Sequence, residues 1–116
     1  MATILVVDEE LDSRVLIKRL LERCGHAVIT CEDAKAAVQW VSDNPVDLVV
    51  VDIIRGDPFS ARLASLLKGT RGRLKALGIT NPGAEPPRQA QWDALVFKPI
   101  DIDVVEHNVR NLLDSV

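Results

Sequence analysis

Two valine-rich runs end in carboxylates, and these are the residues best placed to do chemistry. Leu48-Val49-Val50-Val51 leads into Asp52, and Ile4-Leu5-Val6-Val7 leads into Asp8, Glu9 and Glu10. Two further apolar runs end in Thr80 and in Lys98-Pro99. Acids gathered at one edge repel one another, by roughly 4 kcal/mol for two unit charges about 4 Å apart at an effective dielectric near 20. Such a cluster takes up a proton or binds a cation. Hard oxygen ligands in an incomplete cage, with room left for water and a phosphoryl oxygen, suit Mg²⁺. The Thr80 hydroxyl and the mobile Lys98 ammonium are groups that hold phosphoryl oxygens. With the charge neutralised, one carboxylate is free to attack, and aspartate is a known nucleophile that forms an acyl phosphate. Asp52 is the candidate, because it alone ends the central run.

These groups meet only if the runs are parallel strands of one sheet, whose ligands sit beyond the strands' carboxyl ends. The segments between them read as helices. Val15, Leu16, Ile17, Leu20, Leu21 and Cys24 recur at three- and four-residue spacing, with Asp12 or Ser13 as cap and Gly25 as stop. Asp33 caps a second helix that Asn44-Pro45 ends, and Asp57-Pro58 opens a third carrying Leu63, Leu66 and Leu67. Asp101 caps a last one with Val105, Val109, Leu112 and Leu113 on its apolar face. Residues 27–30 and 94–97 read as short strands. A strand from Leu74 or Ala76 to Ile79 is made less regular by Gly78. Residues 81–87 hold three prolines and a glycine and form a loop. Residues 88–93 have length for one or two helical turns at most. The alternation predicts right-handed βαβ crossovers. The expected fold is α/β: a flavodoxin-like, doubly wound, five-stranded parallel sheet of order 2-1-3-4-5 with helices on both faces, the fourth helix short or degenerate. A single domain over residues 1–116 is expected.

Composition bounds the remaining possibilities. The chain has 116 residues, 47% of them hydrophobic and 27% charged, with a net charge of −3. The balance is that of a soluble globular domain and lacks the basic face of a nucleic-acid binder. No apolar run approaches the length of a membrane span, and no leader pattern opens the chain. Cys24 and Cys31 lack metal-ligand spacing and read as buried small apolar residues in a reducing cytoplasm. His26 and His107 read as lone histidines, and Trp40 and Trp92 as partial core.

Ile4 to Glu9, Asp47 to Asp52, Thr80, and Lys98-Pro99 followed by a helix resemble, as an ordered set, the response-regulator receiver family over essentially the whole chain. That resemblance implies a phosphoryl group accepted on Asp52 from the phosphohistidine of a sensor histidine kinase or phosphotransfer protein. It implies Mg²⁺ held by Asp8, Glu9, Asp52 and the backbone carbonyl of Ile54, with Thr80 and Lys98 on the phosphoryl oxygens. A cis Lys98-Pro99 peptide and a switched protein-interaction surface are also implied, without nucleic acid or membrane as partner.

The chain departs from the family pattern in several places. Glu9 stands where the family usually has Asp, and the segment from Ile53 to Ser60 replaces a methionine-proline turn. Arg55 in that segment is placed to stabilise phosphate or to occupy the site at rest, though a solvated loop charge is the plainer reading. Leu95 occupies the position of the switch aromatic, and the stretch between Thr80 and Lys98 is short. These departures support an alternative: a pseudo-receiver that binds a partner without being phosphorylated. An aspartyl phosphohydrolase, which starts from an Asp-x-Asp motif, fits less well, since that place reads Asp8-Glu9-Glu10.

Overall fold

Apolar runs with side chains on both faces need cover on both faces, and the chain supplies it with alternating helices. The computed structural model describes residues 2–54 and 56–114. Its strands are β1 (Thr3–Val7), β2 (Ala27–Cys31), β3 (Leu48–Asp52), β4 (Lys75–Thr80) and β5 (Ala94–Phe97). Its helices are α1 (Leu11–Arg23), α2 (Ala34–Asp43), α3 (Pro58–Ala61), α4 (Leu63–Thr70) and α5 (Ile102–Asp114). The sheet runs β2-β1-β3-β4-β5, with every pairing parallel. This is the doubly wound architecture expected from the alternation.

Residue parity divides the core. Leu5, Val7, Val49, Val51 and Ile53 pack against Ala37 and Val41 of α2 and Leu63, Ala64 and Leu67 of α4. Ile4, Val6, Leu48, Val50, Leu77 and Ile79 pack on the other face against Ile17 and Leu21 of α1 and Val105 and Val109 of α5. Fully burying each such side chain stabilises the fold by about 1.5–3 kcal/mol.

The local signals mostly act as their chemistry dictates. Asp33 accepts from the Ala36 amide at 2.8 Å, Asp57 from Phe59 at 2.9 Å, and Asp101 from Asp103 at 2.9 Å. Gly25 takes a φ of 92° just past α1, where a side chain would be strained. Helix α1 is a correction: its N-cap is Glu10 with no side-chain cap bond, and Asp12 and Ser13 lie inside the first turn. Ser13 Oγ instead donates to the Glu10 carboxylate at 3.2 Å.

Other expectations are revised by long-range packing. Cys24 is exposed at the end of α1, whereas Cys31 is half-buried against the core on the α2–α4 side; both are free thiols. The histidines have partners: His26 Nδ1 accepts from the Ala2 amide at 3.2 Å, and His107 Nε2 lies 3.1 Å from Asn111 Nδ2. Trp40 is exposed at the surface, whereas Trp92 is partly buried on the α2–α4 side. Gly78 does not interrupt β4. A Cβ there would lie 2.6 Å from Ile53 Cδ1, 2.9 Å from Leu95 Cδ2 and 3.1 Å from Trp92 Cε3, so the glycine is the seat into which these three side chains fit.

Between β4 and β5 the described residues form one 3-10 turn, Arg88–Ala90, rather than an α-helix. Trp92 and Asp93 take over its packing. The Trp92 indole donates to the Ala61 carbonyl at 2.8 Å, at the joint where α3 gives way to α4. Asp93 Oδ2 accepts from Lys68 Nζ and from the Ala76 amide, each at 2.7 Å.

Candidate functional site

Strand register decides which groups meet. Val7 lies beside Val51, so Asp8 and Asp52 emerge at the same level from neighbouring strands. Asp52 lies beside Ile79 and Thr80 beside Phe97, which brings Thr80 and Lys98 to the same edge. Asp8, Glu9, Asp52 and Ile54 line one cleft of about 170 Å³, together with Glu32, Asp33, Asp57 and Ser60.

Asp52 is the centre of this edge. Its side chain is 12% exposed, and Nζ of Lys98, a side chain 36% exposed, lies 2.8 Å from its Oδ1. The pair is ionic rather than directional: Oδ1 is buried and accepts no hydrogen bond among the described residues. An acceptor left in this state is open to a cation or to bond formation.

Asp8 is 3% exposed. Its Oδ1 accepts from the Glu10 amide at 2.9 Å. Burial raises its pKa above the ordinary 3.8; the Glu10 amide bond opposes this, the Asp52 charge adds to it, and Lys98 opposes it. Arg14, which the sequence did not single out, donates to the Asp8 carbonyl at 2.9 Å and lies 3.9 Å from Glu32. Glu9 is exposed at the rim. Among the described residues no three acidic, histidine or cysteine side chains stand close enough to cage a metal alone. The donors nevertheless fit Mg²⁺: two adjacent carboxylates, one with an oxygen that accepts no hydrogen bond among the described residues, beside a backbone carbonyl in one cleft. Ile54 O is already engaged by the Asp57 amide at 3.0 Å, which leaves it a second lone pair.

Thr80 is 1% exposed, and its hydroxyl donates to the Ala84 carbonyl at 3.2 Å, tying the proline-rich loop to the strand. The Lys98 amide donates to Thr80 O at 2.8 Å, and the Lys98-Pro99 peptide is cis. Leu95, away from this edge, packs with Trp92 over Gly78. Arg55 lies outside the described residues. The sequence reading missed Ser60, whose buried hydroxyl accepts from the Ile54 amide at 2.9 Å and donates to the Asp57 carbonyl at 3.2 Å. Its only local signal was an alcohol just after Asp57-Pro58.

Fold and edge together define a doubly wound α/β domain with an acidic switch-point edge, and comparison with known proteins gives the family. The model of the response regulator receiver domain matches residues 4–110, and the chain belongs to that family. It is similar to the DNA-binding transcriptional regulator NtrC of Azospirillum brasilense, at 29% identity over 98% of this chain and 24% of that protein. The chain thus spans about a quarter of that relative's length. A crystal structure of response regulator protein TrrA from Thermotoga maritima in complex with Mg²⁺-BeF superposes with a TM-score of 0.84, at 26% identity, covering 97% of this chain and 99% of that one. A CheY-like receiver domain from Methanospirillum hungatei gives a TM-score of 0.89 at 21% identity, over 98% of this chain and 94% of that one, a likeness of fold. The chain is a receiver of the two-component kind, a signalling switch domain. No helix among the described residues is long and apolar enough to cross a membrane.

Proposed function

We propose that this receiver takes a phosphoryl group onto Asp52 from the phosphohistidine of a sensor histidine kinase or phosphotransfer protein, with Mg²⁺, and thereby switches a protein-interaction surface in the cytoplasm. The observation that carries this is the buried Asp52 Oδ1, free of hydrogen bonds, beside Asp8 and 2.8 Å from Lys98. Asp8, Glu9, Asp52 and the Ile54 carbonyl would hold Mg²⁺, which when bound neutralises phosphoryl charge. An Asp52 oxygen attacks phosphorus. The O–P bond forms as the P–N bond to the donor imidazole breaks, and the imidazole nitrogen leaves with the bonding pair. Lys98 passes from the carboxylate to the new phosphoryl oxygens, so its charge stays compensated throughout.

Thr80 has one hydroxyl proton, now given to Ala84 O. Donating it to a phosphoryl oxygen removes that tie, so phosphorylation frees the loop's anchor. The similar response regulator TrrA has been crystallised in complex with Mg²⁺-BeF, which supports this reading.

One observation favours the alternative, a pseudo-receiver acting independently of phosphorylation. Leu95 is wedged with Trp92 over Gly78, and no α-helix separates β4 from β5 among the described residues, so the usual readout has no moving parts. Beryllofluoride with Mg²⁺ distinguishes the two readings. Amide shifts at Asp52, Thr80 and Ala84 support the switch. Failure to bind beryllofluoride supports the fixed module.

A further inference from the structure

Ser60 lies at the third position of α3 and is 4% exposed. A serine in a helix's first turn commonly bonds to a backbone group three residues away, and the bond from Ser60 Oγ to the Asp57 carbonyl is of that kind. The second bond is not local in this way. The Ile54 amide reaches forward six residues to donate to Oγ at 2.9 Å. The hydroxyl therefore uses its proton on one peptide group and a lone pair on another. A third bond, from the Asp57 amide to Ile54 O at 3.0 Å, closes the arrangement. Ile54 is thus restrained through both its N–H and its C=O, and it lines the same cleft as Asp8, Glu9, Asp52 and Ser60 itself.

We propose that Ser60 is a positioning residue for the metal: its hydroxyl anchors Ile54 by its N–H and, through the Asp57 carbonyl, steadies the turn whose Asp57 amide holds the Ile54 carbonyl, so that this carbonyl is presented to Mg²⁺. This rests on the reading of the cleft as a Mg²⁺ site. Such a device suits this chain, since the segment after Asp52 lacks the family's methionine-proline turn and must be held by other means. Groups that orient a metal ligand without touching the metal govern affinity strongly. The role is distinct from helix capping, which Asp57 already performs through the Phe59 amide.

The test is calorimetric titration of Mg²⁺ into wild-type protein, Ser60→Ala and Ser60→Thr, with the melting temperature of each measured in chelator. Ser60→Ala is expected to weaken Mg²⁺ binding by about tenfold or more, the range found when such second contacts are removed. Ser60→Thr, which keeps the hydroxyl, is expected to restore most of the affinity. Ser60→Cys, close to serine in size and weak in hydrogen bonding, replaces the alanine variant if that does not fold, with the same loss expected. Wild-type affinity in a folded alanine or cysteine variant overturns the role of Ser60 while leaving the metal site standing. A wild type that does not bind Mg²⁺ overturns both.

Discussion

Burial and the Asp52 charge both oppose an ionised Asp8, and this sets the cost of keeping the site ready. A carboxyl whose pKa is raised on folding binds more protons folded than unfolded, so its contribution to stability falls as pH rises from 3.8 through the raised value. Above the raised value the native state carries the penalty in full. Asp8→Asn removes it and leaves the carbonyl oxygen to accept from Glu10. In chelator at pH 7 the variant is expected to melt a few degrees higher than wild type. The gain should vanish below pH 3.8, and Mg²⁺ should no longer raise its melting temperature. An unchanged or lower melting temperature at pH 7 would count against the cost assigned to Asp8. The cysteines give a second test at this scale. Burial, and then the Asp33 charge, push the Cys31 thiol up to about 11, while Cys24 is exposed. Alkylation at pH 8 followed by peptide mapping should label Cys24 quickly and Cys31 slowly, since the thiolate is the nucleophile. Equal rates would contradict this.

The element most altered is the one missing between β4 and β5, and Gly78 makes the replacement possible. Ile53, Leu95 and Trp92 converge where its Cβ would stand. Gly78→Ala is expected to cost roughly 1–3 kcal/mol through overpacking. Chemical denaturation measures this, and a neutral or stabilising substitution would refute the close packing described. The sequence conveyed those parts of the fold that depend on neighbours in the chain. Apolar runs with a carboxylate, hydroxyl or lysine at their ends marked the strands and the edge they share. Asp33, Asp57 and Asp101 announced their helices because capping needs only a short reach. What depends on distant partners stayed hidden: the break between α3 and α4 at the Trp92 indole, the Asp93 bridge from Lys68 to Ala76, the seat at Gly78, and the Ser60 clip. The proline count told that residues 81–87 were loop. It could not tell that Thr80 would hold Ala84.

At the scale of the whole molecule, the sheet order β2-β1-β3-β4-β5 sets the switch point between β1 and β3, and the acids stand there. The two cores on either face hold this edge rigid, so the charge at Asp52 can change without the scaffold yielding. Movement is then left to groups whose side chains are held by one bond, such as the Thr80 hydroxyl and the loop it anchors. The account therefore depends on Asp52 being a nucleophile and not merely a paired surface acid. Intact-mass measurement after incubation with a small-molecule phosphodonor and Mg²⁺ tests this most directly. Wild-type protein is expected to gain one phosphoryl group, and Asp52→Asn or chelator to abolish the gain. A wild-type mass that does not change, or an adduct that persists in Asp52→Asn, would contradict it.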